Sequence, residues 1–391
     1  MKKIINLLLL TAAVFMASCG DEASIPQYHN LKITLNPEEA LSGNKLAKMK
    51  LVATSDYGIT QEFSLSGDTT INLLQGQYTL VLSGKVADEA AAYVSGNAET
   101  LLFADATSTV NLSKIIKSPL IFKSIYTTGG QQGYILDQYF EIVNNSDEVQ
   151  YLDGLMLSAP QGGQTKENAW QAHGYADLYA CGQGMVIAFP GSGKEYPLQP
   201  GQSIVLANEP VDHAVAAKKG NHCPDLSKAD WEVYIKNVKG EVDHPTPDVK
   251  VIFQNSTTIR AFGIGVNGRA YLMAKCPEGM TPEEFAADPK NIMTTPGTTS
   301  KTQFLMIPSK YVLDAVDIWN NKRSNNYGAF LPKDDAQGVL ASTANAGKCV
   351  RRKVTKIING RVYYQDTNNS ANDFLNNQEL TPGQTPTSVD Q

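Results

Sequence analysis

The stretch YYQDTNNSANDF, Tyr363 to Phe374, sets aspartate, asparagine and serine at alternate positions, the pattern in which side-chain oxygens converge on calcium. Read as a calcium loop, Asp366, Asn368, Ser370 and Asn372 take ligand positions. Ala371, however, stands where glycine makes the sharp turn, and Asn377 where a bidentate glutamate closes the shell. The stretch is therefore expected to be a polar turn. Asp366, Asn368 and Asn369 would bond nearby backbone, and Phe374 would return the chain to the core.

Other segments with chemistry-bearing residues also read as structural. GIGVNG, Gly263 to Gly268, fits G-x-G-x-x-G but lies between strand-like runs and opens no helix, so a hairpin turn is expected. AFPGSGKE lacks the first glycine and the magnesium-binding hydroxyl of a phosphate loop, at Ala188 and Glu195. Asp334 and Asp335 fall in a turn-like segment and are expected in a solvated loop, and no G-x-S-x-G supplies a nucleophile. His213, His222 and His244, with Asp243, gather in one polar region, but without metal-ligand spacing they read as loop residues. The expectation is a protein that is not an enzyme, with no catalytic residue, no metal and no cofactor. Contact residues are sought instead in the 210–250 region, at His213, His222, Trp231 and His244, because aromatic and polar groups on loops supply binding hot spots.

The compartment is written at the N-terminus. MKKIINLLLLTAAVFMASCGDEA places a lysine pair before an apolar run from Ile4 to Ala17, shorter than the roughly 20 residues of a membrane-spanning helix, and so reads as a leader. Ala17 and Ser18 before Cys19 resemble a bacterial lipobox, whose cysteine is acylated and becomes the new N-terminus. Asp21 and Glu22 resemble the surface-export signal of lipoproteins in the Bacteroides group, which implies the outer face of the outer membrane. Losing Lys2 and Lys3 takes the formal charge from −6 to −8, which disfavours nucleic acid and anionic lipid as non-specific partners. Four further cysteines, Cys181, Cys223, Cys276 and Cys349, suggest disulfides in an exported chain. Three pairings are open, and Cys181 with Cys223 and Cys276 with Cys349 are the expected ones.

The positioning elements are mostly strands. From Leu31 to Leu112 short runs alternate apolar and polar residues (Leu31 and Ile33, Ile71 and Leu73, Tyr78, Leu80 and Leu82), separated by SGD, QGQ and SGN turns. This is the pattern of an antiparallel sandwich with one solvated face. Pro119 interrupts a strand-like run and marks a boundary, beyond which a longer β-rich region follows. One helix is well signalled in GMTPEEFAADP, with Thr281 as N-cap, Pro282 at the first position and Glu284 completing a capping box. The fold class is all-β, two β-sandwich domains in series with few short helices. The expected divisions are a signal peptide at 1–18, a tether at 19–29, a small sandwich at 30–116, a larger β domain at 120–384 and a disordered tail at 385–391.

Two resemblances refine this expectation. INLLQGQYTLVLSG looks like the edge of prealbumin-like and carboxypeptidase-regulatory-like modules, and the small sandwich is expected to be prealbumin/Ig-like. DQYFEIVNNSDEVQYLDGLMLS, YPLQPGQSIVLANE, and KCVRRKV followed by DTNNSANDF and TPGQ are similar, in this order, to the opening, middle and close of lamin-tail domains, with Arg351 or Arg352 reaching the closing loop. As a whole the chain resembles uncharacterised Bacteroidetes lipoproteins that pair a small β module with such a domain. The resemblance implies a surface lipoprotein that serves a TonB-dependent receptor as a non-enzymatic binding or docking subunit. A structural or adhesive surface protein is the alternative, and an enzyme on extracellular polymers a more distant one.

Overall fold

The computed structural model describes residues 27–390, apart from 43–45, 47, 87–91, 117, 164, 183, 237 and 257. The leader, Cys19 and the acidic pair Asp21 and Glu22 lie outside the described residues. Strands dominate and helices are short, so the chain is all-β.

Seven strands between residues 28 and 116 form one hydrogen-bonded sheet, in the order Thr60–Leu65, Met49–Ser55, Gly76–Lys85, Ala92–Leu102, Ala106–Ile116, Tyr28–Pro37, Thr69–Leu74. The predicted alternation is realised: Leu31 and Ile33 are buried while Lys32 between them is exposed, and Ile71 and Leu73 repeat the pattern. One pairing differs from the antiparallel expectation, because Tyr28–Pro37 runs parallel to Ala106–Ile116, from Leu31 opposite Ala106 to Pro37 opposite Leu112. Residues 113–115 of that second strand pair instead with 93–95. Gly96 stands just past this divergence, where a Cβ would meet Asn111 O at 2.3 Å, so only glycine allows the two strands so close. The sheet closes on one core that includes Leu31, Ile33, Leu51, Leu80 and Leu82.

From residue 120 onward the chain forms three layers. A first six-stranded sheet has the order Trp231–Glu232, Ser203–Ala207, Tyr139–Asn144, Leu120–Tyr126, Lys348–Arg352, Phe374–Glu379. A second runs Lys250–Gln254, Met185–Ala188, Leu155–Ser158, Ala270–Lys275, Val312–Trp319, Val339–Leu340. The main core lies between them, with Phe122, Phe140, Ile187, Leu206, Tyr271 and Val316 among its members. A third sheet, Leu178–Cys181, Gln303–Pro308 and Ile292–Thr294, covers the far face of the second through Cys181, Leu272, Leu305 and Ile307. Leu155–Ser158 is covered by sheets on both faces, and the outer face of the first sheet is covered by Leu226, Val354, Val362 and Tyr364, so Leu120–Tyr126, Tyr139–Asn144 and Leu155–Ser158 are buried at every position and their sequences run nearly continuously apolar. Asn97 Nδ2 donates to Ala336 O at 3.0 Å and Lys166 Nζ meets Glu99 at 2.6 Å, joining the seven-stranded sheet to this assembly.

The signalled helix is present as Pro282–Ala287, and its capping box forms between Thr281 and Glu284. Three other expectations are corrected. The GIGVNG segment is no hairpin, since Lys250–Gln254 and Ala270–Lys275 are separated by two strands of the same sheet. Its glycines serve close packing: a Cβ at Gly263, Gly265 or Gly268 would come within 2.4 Å of Phe140, Tyr271 Oη or Ile318 O. The expected disulfides are absent among the described residues, where Cys181, Cys223, Cys276 and Cys349 are all free. Cys181 packs between the second and third sheets, while Cys223 lies beside Asp137 and Tyr126. Cys276 abuts Met156 Sδ at 3.7 Å, whereas Cys349 sits with Tyr139 on the outer face of the first sheet. Different layers hold the members of each pair, and a disulfide requires Cα atoms within about 7 Å. Finally, the C-terminal segment is not disordered through residue 390: Arg351 clamps Asp390 with two 2.8 Å bonds, and Asp390 also accepts Val354 N at 2.7 Å.

Candidate functional site

The polar close of the chain is a folding device. Asn369 caps a single turn, Ser370–Asp373, and Asp373 accepts both Thr367 N at 2.8 Å and Thr367 Oγ1 at 2.7 Å. Arg352 is buried beneath it: Nη2 reaches Asp314 at 2.6 Å, Nη1 reaches Asp366 at 3.2 Å, Nε donates to Phe122 O at 2.8 Å, and the guanidinium covers the Phe374 ring. Of the residues that suggest calcium ligands, Asp366 Oδ1 accepts from Arg352, Ser370 Oγ donates to Asp335, and Asn368 Nδ2 donates to Lys333 O.

The loop after Ala188 is likewise filled from within. Asp153 accepts Gly193 N at 3.1 Å, Glu195 N at 2.8 Å and Tyr196 N at 2.9 Å. Burial raises its carboxyl, but the N–H groups of Glu195, Tyr196 and Gly193 outweigh burial and hold it below the ordinary range. The chain's own aspartate takes the place that an anion would occupy in such a nest.

Asp334 and Asp335 do not lie in a solvated loop. Asp335 is buried and accepts Asp317 N at 2.7 Å, Ser370 N at 2.8 Å and Ser370 Oγ at 2.7 Å. Asp334 accepts Tyr179 Oη at 2.5 Å and Ser309 Oγ at 2.6 Å. Burial pushes the neighbouring Asp317 up from its ordinary 3.8 to about 6, and burial together with the Asp317 charge raises Asp335 well above the usual range. Folded Asp317 thus holds a proton that the unfolded chain releases between those values, so stability is expected to fall as pH rises from about 4 to about 6. Asp317→Asn, which keeps an acceptor for Ala329 N, is expected to be more stable than the parent at pH 7 by on the order of 1–3 kcal/mol and so to unfold at a higher temperature. The gap should close at pH 4 in paired thermal melts; a gap independent of pH would refute the assignment.

The 210–250 region divides the expected contact residues. His213 is interior, with Nδ1 2.7 Å from Tyr134 Oη and Nε2 2.8 Å from Glu209 O, and burial lowers its pKa. Trp231 is interior as well, edge-on to Phe189 and Tyr196 in the main core. Both are corrected from surface to core: each lies where the region pairs with the first sheet or caps it. His222 is exposed and His244 half-buried, 3.7 Å from Glu209. The histidines therefore do not converge with Asp243.

Three carboxylates converge there instead. One oxygen each from Glu232, Asp243 and Asp248 lie within 4.8 Å of one another. Glu232 is placed by the short strand Trp231–Glu232, which runs parallel to Leu206 and Ala207, and by hydrogen bonds of its backbone to Pro247 O and Val249 N. Asp243 rides on a turn fixed by Arg260, which bonds Glu241 at 2.8 Å and Gly240 O at 2.7 Å. Glu232 is 1% exposed; Oε1 accepts His244 N at 3.2 Å, while Oε2 is buried with no donor. Burial foremost, then the charges of Asp248 and Asp243, push its carboxyl up to about 7 against the pull of His244 N–H. An open groove of about 640 Å³ adjoins the cluster, lined by Tyr234, Asp243, Asp248, Lys250 and Phe253. Sequence reading reached Asp243 but not Glu232, whose neighbours in WEVY give no sign that it faces an acid 16 residues away.

Residues 199–381, which carry this cluster and the Arg352 network, match the model of a family described as "Protein of unknown function (DUF4876)". The chain is similar to DUF4876 proteins. A crystal structure of a DUF4876 family protein from Bacteroides thetaiotaomicron is 26% identical, with 92% of this chain and 99% of that one covered at a TM-score of 0.60. The fimbrial anchor protein of Porphyromonas gingivalis is 11% identical over 34% of this chain and 60% of its own, at a TM-score of 0.16. A sequence search of curated proteins returns no match. The likeness to the Bacteroides thetaiotaomicron protein spans nearly the full length of both chains, so the DUF4876-like match at 199–381 sits within a shared fold.

Proposed function

We propose that this DUF4876-like chain is a lipid-anchored protein of the outer cell surface, a non-enzymatic binding or docking subunit of a TonB-dependent transport system, built as a small β module followed by a lamin-tail-like domain. The observation that carries the non-enzymatic reading is the internal use of its reactive groups. Asp153 fills the phosphate-loop-like turn, the GIGVNG glycines pack on aromatic and backbone atoms, and Asp335 holds Ser370 and Asp317. Strands from all three lamin-tail-like motifs lie in the first sheet, Ser203–Ala207 beside Tyr139–Asn144 and Lys348–Arg352 beside Phe374–Glu379, with Leu120–Tyr126 between the two pairs, while the first motif continues into the second sheet at Leu155–Ser158.

Anchoring at Cys19 would hold the protein beside its receptor, so that transfer of a ligand becomes nearly intramolecular. The contact surface would comprise the exposed parts of 210–250 and the loops at the sheet ends, where Tyr57, Leu101 and Phe103 are exposed. Pull-down of the tagged, lipidated protein from gently solubilised native outer membrane, with partners identified by mass spectrometry, tests the reading. A stoichiometric TonB-dependent receptor, lost in Cys19→Ala, is the expected result. Recovery of the protein alone, from membranes in which other receptor complexes survive, would overturn it in favour of adhesion.

A further inference from the structure

We infer that Glu232, Asp243 and Asp248 form a binding site for a hard divalent cation of the calcium class, with the adjoining groove as its open side. Two oxygens bound to one calcium at about 2.3–2.6 Å can stand no more than about 5 Å apart. The three carboxylate oxygens already lie within 4.8 Å of one another. An acidic cluster alone would signify little, but Glu232 adds a second observation. Its side chain is 1% exposed and its Oε2 accepts from no donor; the groups facing it are the carboxylates of Asp248, within hydrogen-bond reach, and Asp243, so that as anions the three face one another. A buried carboxylate without a donor is costly, and a cation supplies the missing partner.

Two of the cations near the site are committed elsewhere, while Lys236, on the groove wall, is exposed. Lys250 pairs with Glu283, and Arg260 with Glu241. Those pairings leave the site with three acids while holding the elements that present Asp243 and Asp248 in place. All donors are carboxylate oxygens, a set that selects calcium-like ions over thiolate- or imidazole-seeking metals. Asp243 and Asp248 are exposed, so an ion has direct access from the groove and can keep water on its remaining positions. The bound ion would cross-link three points of the region, the strand at 232, the turn at 243 and the segment entering Lys250–Gln254.

This inference does not rest on the transport reading and stands or falls separately from it. The test uses the full chain, stripped with chelator and titrated with calcium by calorimetry, and with terbium excited through the tryptophans, since Trp231 adjoins Glu232. One saturable calcium site is expected, with a rise in unfolding temperature on calcium addition. Asp243→Asn, an exposed change, should weaken binding by about tenfold or more, and so should Glu232→Gln, which retains an acceptor for His244 N. If Glu232→Gln fails to fold, Asp243→Asn decides alone. Absence of calcium and terbium binding at millimolar concentrations, or binding unchanged in Asp243→Asn, would overturn the assignment.

Discussion

Replacing Arg352 with leucine is expected to lower stability by about 3–5 kcal/mol, enough to threaten folding of a chain whose whole margin is on the order of 5–15 kcal/mol. The guanidinium is 1% exposed, with Asp314 at 2.6 Å, Asp366 at 3.2 Å and Asp373 at 3.6 Å, all buried. Without it, three interior carboxylates lose their counter-charge, and Phe122 O and Gln365 O lose a donor. Arg352→Lys keeps the charge but cannot span partners on several sides, so an intermediate loss is expected. The deficit of Arg352→Leu should shrink at low pH, where the carboxyls can take up protons. Thermal melts by circular dichroism at pH 7 and pH 4 check this, and a melting temperature within about 2 °C of the parent at pH 7 would refute it.

The second large effect concerns Lys123 and Glu141, an ion pair of 2.6 Å whose side chains are 4% and 1% exposed. Lys123→Met leaves Glu141 buried with no counter-charge, against Ser203 Oγ at 2.7 Å and the Gly383 backbone, and removes the donor to Gln384 O. A cost of about 3–5 kcal/mol is expected, because the charge is stranded and not merely unpaired. Even with Lys123 present, burial raises the Glu141 carboxyl more than the lysine lowers it. The loss in Lys123→Met should therefore lessen as pH falls and folded Glu141 becomes neutral. Lys123→Met combined with Glu141→Gln should recover much of the loss, leaving a coupling energy of about 1–3 kcal/mol in a double-mutant cycle by urea unfolding. Additive single effects would show that the pair is not what holds this part of the sheet.

Both sites show where sequence reading succeeds and where it stops. KCVRRKV and DTNNSANDF could be joined in advance only through their resemblance to the close of lamin-tail domains, which implied that Arg351 or Arg352 reaches the closing loop. Lys123 in LIFKSIY gave no such sign, since its partner lies 18 residues on and is reached by strand pairing. Asp335 was misjudged for the same reason: DD beside a lysine has the composition of a solvated loop, and only Asp317 and Ser370, brought in from other strands and turns, make it interior.

What the sequence by itself determined is local. The period-two runs around Leu31, Ile71 and Leu80 specify strands with one buried face, Thr281, Pro282 and Glu284 specify a capped helix, and Asp366 to Phe374 specify a turn, because the bonds involved join residues a few positions apart. Tertiary structure decided the parallel pairing of Tyr28–Pro37 with Ala106–Ile116, the third sheet that takes up Cys181, the burial of His213 and Trp231, and the meeting of Glu232 with Asp243 and Asp248. Each depends on which distant strand becomes a neighbour, and that choice is made by burying the faces of whole sheets together, a collective term that no short window of residues contains.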